Sequence, residues 1–261
     1  MTQILAIALN TFREAVRNKV LYSLLLFALA LILASFFLGE FTLGEGLRLT
    51  RDLGLFGVDV FGVLIAIFLG VNLLYKELQL KTIYTLLPKP IDRHQFVLGK
   101  WMGMVMTLAV QVTVMGMVAQ GMLLLQGADV EPAMLKALWL LFVNVVVVTS
   151  IALVFSAFST PFLSGLFALG LFIVGRSTPD LLEMGRRMGG GAGLVVAALT
   201  KLIPNLHLFF PSGTIVGVER VTVHQAFVDA SYLVWTTLYG FGYSALALGA
   251  AILIFRRRDF V

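Results

Sequence analysis

The stretch YKELQLKTIYTLLPKPIDRHQFVLGK, residues 75–100, is an island of charge between two long apolar runs, and its patterning decides how the chain is read. From Lys76 to Leu87 the apolar residues Leu80, Ile83, Tyr84 and Leu87 recur at i, i+3, i+4 and i+7, which places them on one face of a helix. Glu77 stands one turn before Lys81, within reach of an ion pair. Pro88 and Pro90 then stop the helix, because proline lacks the N–H that a helix needs and disfavours helical backbone in the residue before it. A second segment, IDRHQFVLGK, begins with Asp92 as an N-cap and leads into the next apolar run. A connection that only reverses direction needs a few residues. This one is more than twenty residues long, and a short helix with one apolar stripe and exposed charge is the shape that a partner's groove grips.

Outward from that island the chain is apolar. Of its 261 residues 59% are hydrophobic and 13% charged, with a mean hydropathy of +0.98, against about 25% charged in soluble domains. Apolar runs near the length that crosses roughly 30 Å of hydrocarbon recur at 20–38, 54–75, 100–126, 134–158, 160–175 and 232–255. The expected fold is all-α, a polytopic membrane protein of six spans forming one transmembrane domain over residues 1–261. The apolar segment from Gly189 to Pro204 is short for a span and is closed by Lys201 and Pro204, so it reads as a re-entrant or interfacial hairpin. There are no cysteines, which removes disulfides, thiolate nucleophiles and cysteine metal clusters. No cleavable signal peptide is expected, because the first eighteen residues carry charge within their pattern. Instead Ile4, Leu5, Ala8, Leu9, Phe12 and Val16 repeat at three- and four-residue steps, an amphipathic helix lying in the membrane interface.

Orientation follows from the basic residues, which gather on the cytoplasmic side. With both termini inside, that side holds eleven basic and four acidic residues, and the outside eight and ten. The cluster Arg256, Arg257 and Arg258 after the last span is the clearest signal, and it puts 75–100 in the cytoplasm. The outside then carries the longest connection, 176–231, in which RRMGGGAGLVV and LIPNLHLFFPSG mix glycine, proline and aromatic residues. Such a segment dips into the outer leaflet, where irregular backbone is tolerated if protein or a water-filled cavity satisfies it.

Chemistry-bearing motifs are sparse. No Walker sequence is present, since Gly99 and Lys100 are followed by Trp101 and have His94 where the first glycine belongs. GFGYSA at Gly240 lies inside an apolar span with no strand before it and is rejected as a dinucleotide site. Gly62, Ala66 and Gly70 form a small-residue row, suited either to packing within the chain or to a dimer surface, and Gly99 and Gly103 repeat the spacing. Asp59 is the one acid placed within a span, so it calls for a cavity or a partner such as Arg51 or Arg48. Asn144 and Gln111 read as interhelical hydrogen-bonding residues. Met102, Met104, Met106, Met115, Met117 and Met122 scatter around the third span as adaptable packing. His94, His207 and His224 have no ligand spacing, so no metal site is expected.

The N-terminal amphipathic helix, the six spans, the run E-L-Q-L-K-T-I-Y-T-L-L-P-K-P-I-D-R followed by F-V-L-G-K, and the proline-containing external segment together resemble the ABC-2 type permeases. The chain is most similar there to the group that includes the permease for maturation of the multicopper enzyme nitrous oxide reductase. The resemblance implies a transport subunit, an exporter, in the inner (plasma) membrane. It has no catalytic residues or cofactor of its own, and works as a dimer with two separate ATPase subunits that bind ATP and Mg. By the same resemblance Glu77, Leu80, Lys81, Ile83, Tyr84, Leu87 and Arg93 would form the ATPase-coupling element, while Pro204, Asn205, His207 and Pro211 would belong to an external gate hairpin. The expected partners are the ATPases, a second permease copy and the lipid bilayer, with no nucleic acid. The rival readings are an ion-driven secondary transporter or channel, which would predict internal repeats and deep ionisable residues, and an intramembrane enzyme, which would need an acid, base or metal cluster at one depth.

Overall fold

The structure, a computed structural model, describes residues 2–41, 46–79, 92–129, 132–188, 190–210, 215–216, 219–220 and 229–257. The helices are α1 (Thr2–Val16), α2 (Lys19–Glu40), α3 (Gly46–Gln79), α4 (Arg93–Leu125), α5 (Pro132–Phe158), α6 (Pro161–Arg176), α7 (Thr178–Met188), α8 (Gly190–Leu202) and α9 (Ala230–Arg257). A 3-10 turn covers Leu206–Phe209, and a two-residue antiparallel pair joins β1 (Ile215–Val216) to β2 (Glu219–Arg220). Helices α2, α3, α4, α5 and α9 are each long and apolar enough to cross a bilayer, and α6 with α7 supplies a sixth crossing only as a pair bent by 67°. This is the all-helical polytopic fold expected from hydropathy.

The helix boundaries depart from the hydropathy windows in an instructive way. Helix α3 begins at Gly46, ahead of the expected 54, and continues to Gln79, so the start of the amphipathic stretch at Glu77 belongs to α3 itself. Helix α4 begins at Arg93, ahead of the expected 100. An apolar window ends where charge begins, whereas a helix ends where its backbone hydrogen bonding ends, and no proline lies between Gly46 and Gln79 to end it.

Helices α3 and α5 are the most buried and form the centre, with α2, α4, α6 and α9 around them. The row Gly62, Ala66 and Gly70 is where the two central helices meet. A Cβ on Gly70 would lie 2.6 Å from the Cβ of Ala152 and 3.2 Å from the Thr149 carbonyl oxygen, one on Gly62 would meet Val145, and Ala66 is fully buried. The four-residue spacing stacks these positions on one face and lets the backbones close in. The row is occupied within the chain, so it offers no surface to a second copy.

Helix α1 uses a different face from the one its apolar pattern marks. Ala8, Thr11 and Ala15 are buried, while Leu5, Leu9 and Val16 are exposed and Ile4 and Phe12 half-buried. The cause is the partner helix: Gly99 and Gly103 of α4 clear a channel so shallow that a Cβ on Gly103 would lie 2.5 Å from the Ala8 carbonyl oxygen. Ile7 packs on Gly99 while Ala8 and Thr11 pack on Gly103, which leaves Leu5, Leu9 and Val16 facing outward, where the interface receives them. Asn18 breaks α1 from α2, its Oδ1 accepting the Val20 N–H at 3.0 Å.

Helix α6 starts with Pro161 in its first turn and is 16 residues long, about 24 Å at 1.5 Å per residue and short of roughly 30 Å of hydrocarbon. It stops at Arg176, and the chain turns into α7. Helices α7 and α8 then fold back on each other through Gly190, whose φ of 56° is a left-handed conformation open to glycine. The segment expected as a hairpin from Gly189 to Pro204 is thus mostly one helix, α8, whose 13 residues are too few to cross alone. Its antiparallel partner is the amphipathic α7.

Candidate functional site

The residues singled out by sequence fall on two sides of this bundle. On the side of residues 80–91, Leu80, Lys81, Ile83, Tyr84 and Leu87 lie outside the described residues; Glu77 is on the last turn of α3 and Arg93 on the first turn of α4. Asp92 does occupy the N-cap position, with extended backbone (φ −66°, ψ 140°), but its side chain makes no capping hydrogen bond, so only half of that expectation holds.

The α4 flank of that segment is anchored into the bundle. Arg93 Nη1 donates to the Phe255 carbonyl oxygen at 3.4 Å, and the Phe96 ring stacks on Phe255 at 6.1 Å, which ties the start of α4 to the end of α9. One turn on, Lys100 is 1% exposed and lies 3.6 Å from the Glu14 carboxylate of α1, with its ammonium 5.9 Å above the Phe96 ring. A buried ammonium is tolerated where it is paired in this way. Trp101 Nε1 donates to Ser150 Oγ of α5 at 2.9 Å. The first turns of α4 therefore hold α1, α5 and α9 together directly after the amphipathic segment.

The second cluster lies on the opposite side. Asp59 of α3, 1% exposed, accepts from Asn144 Nδ2 of α5 at 2.9 Å and forms an ion pair with the Arg176 guanidinium at the end of α6. The expected partners were Arg51 or Arg48. Arg176 takes the role because α6 ends early, leaving a guanidinium at the depth of Asp59, where each charge needs the other. Asn144 is the interhelical hydrogen-bonding residue it was expected to be. Gln111 is also buried, yet its Oε1 has no hydrogen-bond partner among the described residues.

Arg176 also carries the cluster into the connecting segment. The face of the Phe210 ring packs against its guanidinium at 3.6 Å. Beside it, Gly175 lets the backbone close in, since a Cβ there would lie 2.7 Å from the Pro204 carbonyl oxygen. Pro204 and His207 are buried and Asn205 half-buried, while Pro211 lies outside the described residues. The last span holds the same segment by its tyrosines: Tyr239 Oη accepts the Asn205 N–H at 2.9 Å, Tyr232 Oη donates to the Leu208 carbonyl at 2.8 Å, and Tyr243 Oη to that of Leu202 at 3.4 Å. Gly240, in the rejected nucleotide motif, is a packing residue against Val143 and Phe209.

Arg176, Gly175 and the three tyrosines were not picked out from sequence. The signals were an arginine closing an apolar run too short to span, and Tyr232, Tyr239 and Tyr243 at spacings of seven and four, which share a helix face. The methionines of α4 are indeed scattered: Met104 and Met115 are fully buried, Met102 and Met117 exposed.

His207 gives this cluster a pH dependence. Burial lowers its pKa below the ordinary 6.5, the Arg176 guanidinium lowers it further, and Asp180 and a hydrogen bond to the Arg176 backbone oppose them. The unfolded chain therefore binds more protons than the folded one between the two pKa values, so stability is full above 6.5 and falls with acidification until the lowered value is passed. Thermal melts of the purified chain should show a decline below about pH 6.5 that is shallower in a His207→Gln variant. Parallel profiles for the two proteins would count against this.

Fold and site together define a multi-pass helical membrane domain with a polar bolt on one side and, on the other, the start of α4 tied to α1, α5 and α9. The family model described as ABC-2 family transporter protein matches residues 5–260, and the chain belongs to that family. It is accordingly an ABC permease subunit, the membrane part of a transporter whose family associates with ABC ATPases. No curated protein matches the chain.

Proposed function

We propose that this permease subunit is an exporter's single transmembrane domain, with both termini in the cytoplasm of a cell whose inner (plasma) membrane it spans. Two copies, or one copy and a homologous permease, pair with two separate ATPase subunits that bind ATP and Mg. The segment Glu77 to Leu87, with Arg93 behind it, seats on the ATPase, and the hairpin around Pro204, Asn205, His207 and Pro211 forms the outer gate. Within the family, the Glu77–Lys100 pattern favours the group that includes the nitrous oxide reductase maturation permease.

One observation carries this reading: α3 runs without a break from Asp59, in the polar bolt, to Gln79, at the edge of the docking segment. Those twenty residues make a rod of about 30 Å. A displacement imposed at Gln79 by ATP-driven closure of the ATPases is delivered to the Asp59–Arg176 pair, because packed helices shift as units between discrete arrangements. The chain co-expressed with an ABC ATPase from its own genome should retain it through detergent extraction and gel filtration. Elution of the chain alone, with the ATPase folded and present, would contradict the proposal.

A further inference from the structure

Helices α4 and α5 leave between them a groove of about 480 Å³, lined among others by Ala109, Val112, Met117, Leu124, Leu135 and Phe142. Its floor is closed where Leu138 packs on Gly116, the position at which a Cβ would strike that side chain. Among the described residues, its one buried polar atom without a hydrogen-bond partner is Gln120 Nε2. At the rim the indole N–H of Trp139 is already given to Thr237 Oγ1 at 3.0 Å, so the donor that the groove offers is the Gln120 amide.

We infer that this groove binds a glycerophospholipid, one acyl chain lying along α4 from Gln120 towards Ala109 and its ester carbonyl accepting from Gln120 Nε2. Depth supports it. Helix α4 ends at Leu125 and the chain turns at Gly127 towards α5, and Gln120 lies five residues before that end, about 8 Å along the helix. Gln120 therefore lies within two turns of the end of the bundle at the α4–α5 turn, and Trp139, two turns into α5, stands where aromatic side chains belt a membrane.

Width separates a lipid from a second protein copy. The groove extends over fifteen residues of α4, about 22 Å, so its mean cross-section is about 22 Å² against roughly 80 Å² for a helix 10 Å across. Over that length it has the width of a hydrocarbon chain and is too narrow to enclose a helix. The amide then fixes which lipid group sits at its mouth, since a buried donor left without an acceptor in hydrocarbon is costly. Gly121 lines the same groove with open space where its Cβ would be, which provides a way to fill the site without disturbing the fold.

The test uses the full-length chain in vesicles of phosphatidylcholine and phosphatidylglycerol containing a photoactivatable phosphatidylcholine, with adducts mapped by mass spectrometry. Adducts on the α4 and α5 lining should exceed those at Phe162 and Leu246, which are exposed on α6 and α9. Gln120→Leu, or a diether lipid lacking the carbonyl, should each lower groove labelling by about fivefold, the ordinary worth of one hydrogen bond, and should not add. Gly121→Phe should abolish groove labelling while thermal melts stay at the wild-type midpoint. Labelling of the groove no greater than at Phe162 and Leu246 would overturn the inference. So would a Met117→Cys variant that forms disulfide-linked dimers with the groove unlabelled, which would make the occupant a second copy.

Discussion

Arg176→Ala should lower the stability of the chain by about 3 kcal/mol, the low end of the roughly 3–5 kcal/mol that follows when a buried ion pair loses one member. Asp59, 1% exposed, would remain with Asn144 as its other hydrogen-bond partner in the structure. The low end is expected because Arg176 itself is 25% exposed, so part of its charge is already met by its surroundings. The same substitution removes the guanidinium from the Phe210 ring, so the segment from Pro204 to Phe210 loses a contact to α6 as well. Adding Asp59→Asn should recover most of the loss, since a neutral amide leaves no orphan charge. Thermal unfolding of the three variants in detergent measures it. If Arg176→Ala melts with wild type, or Asp59→Asn fails to rescue, the pair is not what holds α3, α5 and α6 together.

Leu80→Asp and Tyr84→Asp should each weaken ATPase binding by a hundredfold or more. Apolar anchors at the centre of an interface are worth about 2–4 kcal/mol, and every 1.4 kcal/mol is tenfold in affinity. An aspartate there also places a charge in the partner's groove that must be desolvated without a counterion. The ATPase should be lost on purification, while the thermal midpoint of the permease itself changes little. That last point separates docking from folding. Undiminished co-purification would move the docking face elsewhere on residues 75–100.

What could be read from sequence divides by the range of the forces involved. The spans were legible because burial in hydrocarbon is a local property of some twenty consecutive residues. Boundaries were less so: α3 and α4 extend past their apolar windows because helical hydrogen bonding continues into charged sequence. Partner choice was the least legible. Asp59 announced that it needed a cation, but whether Arg48, Arg51 or Arg176 supplied it depended on α6 stopping after 16 residues, a tertiary fact. Likewise the pattern of α1 marked an apolar face, while Gly99 and Gly103 on a distant helix decided that Ala8, Thr11 and Ala15 would be the buried ones.

Because the chain has no cysteine, a lone thiol introduced as Tyr84→Cys reports on one place. The decisive measurement treats intact cells with a membrane-impermeant maleimide, then repeats it on opened membranes with and without the ATPase. The expected result is no labelling from outside, labelling in opened membranes, and protection when the ATPase is bound. Labelling of Tyr84→Cys on intact cells would contradict it, since the docking segment would then face away from the ATP that is supposed to drive it.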